Sequence, residues 1–239
     1  MSMRLWQYEV RRAGGAALLA PAFAAGAGGL VIGAAVRSGG GAGTVSDGLR
    51  YILEMAVPLA VGVAVTTLVG RDPVVELQLT LPVAYRATLL RRAAATLAGA
   101  VAVATAVEAV PWLGRPSALR SARLNGVAAG TGWSPHGLLT DQLVWAAPTL
   151  AMAALGLLVA AMLREPAAAG AVVAIVWLFQ ELMPQRVPGP LYLFASTGRF
   201  SGDWTANRAS LTVAAVLLVA AAWPVLGRPS WLLSAAAAR

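Results

Sequence analysis

The sequence predicts an all-α integral membrane protein with six transmembrane helices, an N-terminal interfacial helix and a short cytoplasmic helix between spans two and three. Two observations carry this reading. The 239 residues are 59% hydrophobic and 12% charged, with a mean hydropathy of +0.72, outside the range of soluble globular chains. The apolar residues also gather in runs of about 20, the length a helix needs to cross roughly 30 Å of hydrocarbon. A β-barrel would show short alternating segments instead.

Taken in order, Met1–Arg12 (MSMRLWQYEVRR) puts Met3, Trp6 and Val10 on one helical face and Arg4, Gln7 and Arg11 beside it. That pattern suits a helix lying in the membrane interface. The first span is expected over Ala13–Val36. Its basic leader and the AFA near Ala22 resemble a signal peptide, but a run of about 24 residues exceeds a signal core and favours a retained span. Gly29 and Gly33 have the GxxxG spacing that admits a second helix closely, although a composition this rich in small residues produces such spacings unaided. RSGGGAGTVSDGLR reads as a loop, followed by a second span over Tyr51–Val69.

After the polar stretch from Gly70, a third span is expected over Ala93–Trp112. A loop from Leu113 to Thr140 holds Arg115, Arg120, Arg123, Trp133 and His136, the last read as a solvated loop histidine. The fourth span covers Asp141–Met162, the turn LREP reverses the chain, and the fifth covers Ala167–Met183. Pro184–Ala206 contains three prolines among its aromatics, so it reads as an interfacial or re-entrant segment rather than a regular span. The sixth span covers Asn207–Leu226. Residues 1–239 form one domain, with no soluble insert or internal repeat.

Composition excludes several functions. All 18 basic residues are arginine, so no GxxxxGK[ST] phosphate loop is present and the chain carries no Walker-type ATPase of its own. With no cysteine and one histidine, thiolate metal sites, disulfides and multi-histidine zinc sites are excluded, and no cofactor is expected in this chain. The formal charge of +8 comes from arginines scattered between spans rather than grouped on one face. Nucleic acid is therefore not an expected partner. Lysine-free, Ala/Gly/Arg/Pro-rich usage matches GC-rich codons, which suggests a bacterial source. Six spans put both termini on one side; ten arginines fall on that side and eight on the other, which favours cytoplasmic termini in a bacterial plasma membrane.

The segment GRDPVVELQLTLPVAYRATLLRR, from Gly70 to Arg92, carries six charged residues between two apolar runs. Its Glu76–Leu81 portion alternates as a strand would, but a lone strand would leave its backbone groups unpaired. Asp72 can cap a helix, Pro73 suits its first position and Pro82 ends it. The pattern thus predicts a two-turn amphipathic helix, followed by Arg86, Arg91 and Arg92 at the base of the third span.

RDPVVELQLTLPVAYRATLLRR resembles the segment between the second and third spans of type-2 ATP-binding cassette exporter permeases, and WTANR, with Trp204, Asn207 and Arg208, is a weaker echo at the head of the last span. The resemblance extends to the six-span layout. It implies that the first cytoplasmic loop is a coupling helix docking on a separate ATPase subunit, with Asp72, Glu76, Leu77, Leu79 and Arg86 as the docking surface. ATP and Mg would be held by that cytosolic ABC ATPase partner. A second permease protomer, the same chain or a homologue, would complete the pathway among the membrane lipids. Gln78 within the leucine run departs from the family pattern and bears on the docking register.

In this topology Glu54, Glu108, Asp141 and Glu181 fall within a turn or two of the outer ends of their spans. The plain expectation is pairing with outer arginines such as Arg37, Arg115, Arg186 or Arg208. The functional alternative is an acidic outer pathway for a cationic or amphiphilic substrate, with Trp177 and Gln180 lining the helix beside Glu181. The leading expectation is a permease exporting a small amphiphilic molecule, peptide or lipid. Its rivals are an ion-coupled secondary transporter or channel, which would place acids at broken helices in mid-membrane, and a non-transport scaffold. An enzyme would need a clustered nucleophile, base or metal set, which the sequence lacks.

Overall fold

Apolar runs without internal polar partners can only satisfy their backbone as helices, and the regular structure found is helical throughout the described residues. The structure is a computed structural model that describes residues 15–39, 42–70, 85–113, 138–195 and 204–227. Its α-helices are α1 (Gly15–Arg37), α2 (Ala42–Arg50), α3 (Val57–Gly70), α4 (Tyr85–Leu113), α5 (Leu138–Leu163), α6 (Pro166–Leu182) and α7 (Trp204–Leu226). A π-helical turn, Tyr51–Ala56, joins α2 to α3. The interfacial helix expected over Met1–Arg12, His136, and Asp72, Glu76, Leu77 and Leu79 of the expected coupling helix lie outside the described residues.

Among the described residues, five stretches are long and apolar enough to cross a membrane: Leu19–Arg37, Asp47–Val69, Arg86–Glu108, Gln142–Leu163 and Trp204–Leu226. The remaining expected span, the fifth, corresponds to α6, whose 17 residues reach about 25 Å, at the short end for a spanning helix. A tight reversal sets where α6 starts. Arg164 takes a left-handed conformation with φ 62°, Glu165 accepts the Ala167 N–H at 3.2 Å, and Pro166 occupies the first helical turn, where its missing N–H costs nothing.

The expected loop 37–50 is corrected: the chain is helical again from Ala42. The polar composition of AGTVSDGLR hides an apolar stripe in which Val45, Leu49, Ile52 and Leu53 recur at helical spacing and are all buried. That stripe seats against α1 by a reciprocal fit. Gly28 of α1 accommodates Ile52, and Gly48 of α2 accommodates Ile32. Gly29 and Gly33, the GxxxG pair, face open space instead, so the close approach falls one residue away from the motif.

The core is built around α3 and α5. The α3 helix packs on α5, α6, α1 and α4, while α5 packs on α3, α7 and α6. Val57, Val61 and Val65 line the buried face of α3. Gly62 and Gly156 meet where α3 crosses α5, and a Cβ on Gly156 would run into the Gly62 carbonyl oxygen. Near the LREP turn, the Thr66 hydroxyl lies 2.7 Å from the Val63 carbonyl and 3.3 Å from the Pro166 carbonyl, tying α3 to the start of α6. On the rim, Phe23, Leu30, Ile175, Val216 and Leu217 expose large apolar surfaces, as hydrocarbon-facing helices do.

Candidate functional site

The π turn lies immediately upstream of Pro58. An α-helix would close the Glu54 carbonyl on the N–H four residues later, and Pro58 has none. The turn is wide, with the Val57 N–H bonding the Ile52 carbonyl five residues back. Such turns recur at functional positions. Here the turn places Glu54, with 0% exposure, in the interior of the bundle.

Arg208, one turn into α7 and 1% exposed, meets it there. Its Nη2 donates to Glu54 Oε1 in a buried ion pair, and its Nη1 donates to the Leu193 carbonyl at 3.1 Å. The guanidinium also lies 5.5 Å from the Trp204 ring centre. Its neighbour Asn207 is fully buried, and its Nδ2 lies 2.9 Å from the Gly189 and Tyr192 carbonyls and 3.3 Å from that of Pro190.

These donors answer a need created by the proline-rich segment. After α6, the chain runs through short 3-10 turns at Pro184–Arg186 and Gly189–Leu191 and then an irregular stretch. Irregular backbone inside a bundle leaves carbonyls and N–H groups without helical partners. Asn207 and Arg208 engage the carbonyls, and Gln180 Oε1 accepts the Leu193 N–H at 2.8 Å. Tyr192, Leu193 and Phe194 are thereby buried. Phe194 stands edge-on to both Trp177 and Tyr192, at 5.7 and 5.6 Å between ring centres. Trp177 Nε1 donates to the Met55 carbonyl of the π turn at 3.0 Å. One polar network therefore links the π turn, α6, segment 184–195 and the head of α7.

The structure brings together some of the acidic, aromatic and polar residues singled out from sequence and separates others. Glu54, Trp177 and Gln180 belong to this network. Glu108 stands apart, accepting from Gln142 Nε2 at 2.8 Å, while Trp145 Nε1 donates to Gln142 Oε1 at 3.0 Å. Glu181 is half-buried at the end of α6. Asp141 lies in the first turn of α5, with its side chain outside the described residues. Arg86 sits at the other end of the bundle, its guanidinium 4.6 Å from the centre of the Trp223 ring near the end of α7.

Sequence reasoning named Arg208 as a possible partner for an outer acid but missed the part played by Asn207. The signal was an Asn-Arg pair opening an apolar run directly after a proline-rich stretch whose backbone needed donors. Chemically, the cluster holds a buried charge pair and oriented amides, which suits it to clamping a segment. No family model matches the chain, and none of the curated proteins or solved structures compared with it is similar.

Proposed function

We propose that the chain is the membrane-spanning permease subunit of an ATP-binding cassette exporter in a bacterial plasma membrane. In this reading α6 completes a set of six spans, the termini are cytoplasmic, and a separate ATPase subunit hydrolyses ATP with Mg. The cargo class is a small amphiphilic molecule, peptide or lipid, and a second permease protomer completes the pathway. The observation that supports the reading is the clamped segment 184–195. It occupies the position before the last span where the resemblance expects an external, aromatic, proline-containing segment, and the WTANR residues hold it.

The connectivity supplies a physical route for coupling. The end of α3 leads in sequence straight into the expected docking segment, 72–81, while Glu54, in the π turn that precedes its other end, pairs with Arg208. A push on the docking segment would therefore be delivered to the clamp through one stiff helix, as rigid-element transmission requires. A specific observation favours an ion-coupled transporter as a second reading: Glu54 is a buried acid in a distorted helical turn. The test is purification in mild detergent after co-expression with the neighbouring genes. The exporter reading expects an ATP-binding subunit and a second permease protomer in the complex. A homogeneous monomer that moves substrate under a proton gradient alone would replace it with the second reading.

A further inference from the structure

Arg50 has no part in the clamp and none in the proposed coupling, yet it is 7% exposed. It is the last residue of α2, one turn from Glu54, at the level where the apolar stretch Asp47–Val69 begins. Two of its donors, Nε and Nη2, have no hydrogen-bond partner. Those two atoms form a single edge of the guanidinium plane, the edge whose parallel N–H groups match two oxygens of a carboxylate or phosphate. An entire recognition edge is thus buried and unengaged, where a buried cation ordinarily has its donors satisfied.

The local charges do not supply what is missing. Among the described residues, Asp47 and Glu54 are the carboxylates that bear on the Arg50 guanidinium. Asp47 is exposed, and Glu54 is engaged by Arg208. Among the described residues, this buried group sets two guanidinium groups, Arg50 and Arg208, against one carboxylate. We propose that the Nε–Nη2 edge of Arg50 is a buried binding site for an oxyanion of the phosphate type, placed where α2 joins the π turn at the start of the apolar stretch. A phospholipid headgroup and a dissolved phosphate share this chemistry. This inference stands apart from the exporter reading, since it needs neither an ATPase nor transport.

The experiment uses the full-length protein in neutral detergent. It is titrated with dioctanoyl phosphatidylglycerol, with dioctanoylglycerol, which lacks the phosphate, and with inorganic phosphate. Binding is read by native mass spectrometry and by the shift in thermal unfolding. Phosphatidylglycerol is expected to bind well above dioctanoylglycerol, with Arg50→Gln lowering its affinity about tenfold or more and Arg50→Lys, which keeps charge without the fork, lowering it less. Binding of phosphatidylglycerol alone supports a headgroup site, and binding of inorganic phosphate as well, weakened in the same variants, supports a site for the dissolved anion. The proposal is overturned if the wild-type protein binds neither phosphate-bearing probe, or binds the two dioctanoyl probes equally. Should Arg50→Gln fail to fold, Arg50→Lys carries the comparison, and unchanged affinity there overturns the proposal too.

Discussion

Glu54 and Arg208 are separated by 154 positions in the chain, and each is costly to bury without the other. A buried charge left alone by removing its partner destabilises by about 3–5 kcal/mol, whereas replacing both with apolar residues of similar size is often close to neutral. Arg208→Met and Glu54→Leu should each lower the unfolding midpoint in detergent strongly, and the double variant should recover most of the loss. Recovery should stop short of complete, because Arg208 also donates to the Leu193 carbonyl, a bond of about 0.5–1.5 kcal/mol. Additive losses in the double variant would mean that the two residues act separately. At this scale the sequence was partly legible. Glu54 stood out as an acid in an apolar run, and Arg208 was among its nameable partners, but the choice among outer arginines depends on packing between distant helices. Asn207 was less legible still, since its role is to serve carbonyls of Gly189, Pro190 and Tyr192, and only the path of that segment reveals the need.

Elements were legible where hydropathy alone decides them. The ends of α5 and α7 fall within three residues of expectation, because the apolar runs stop where polar residues begin. Two features escaped for physical reasons. The helix α2 is built from residues of poor average hydropathy and stands because one stripe of it seats on α1. The π turn just before Pro58 is a shift of hydrogen-bond register that apolar periodicity does not reveal. Small residues show the same limit: GxxxG spacing singled out Gly29 and Gly33, while within the described residues close contact falls on Gly28, Gly48, Gly62 and Gly156. A paired substitution exploits this contrast. Gly156→Ala drives a methyl into the Gly62 carbonyl and should cost about 1–3 kcal/mol as the α3–α5 crossing opens. Gly29→Ala meets open space and should be stabilising by about 0.5–1 kcal/mol through its better helix propensity. Unfolding midpoints that move together in the two variants would mean that the crossing is looser than the packing implies.

For the molecule as a whole, the question is whether its two ends are coupled. At one end Glu54 holds Arg208; at the other Arg86 rests on Trp223, so the base of α4 is braced against the end of α7. The expected docking segment lies in sequence between α3 and α4, and any force on it would load both helices. If residues 72–81 dock on an ATPase, Glu76→Arg, Leu77→Ala and Leu79→Ala should weaken ATPase recovery and separate ATP hydrolysis from export while leaving the spans inserted. Loss of one leucine anchor should cost about 1–2 kcal/mol, enough to lower occupancy when the ATPase is limiting. A segment resting in the headgroups would lose only some membrane affinity and leave ATPase binding unchanged. Arg164→Ala is a suitable control in the LREP turn: at φ 62° arginine and alanine bear similar backbone strain, so the substitution removes a charge without adding a conformational cost. Wild-type ATPase recovery and stimulated hydrolysis in both leucine variants would reduce segment 72–81 to a connecting loop. The braces at Glu54–Arg208 and Arg86–Trp223 would then serve the stability of the bundle and not its motion.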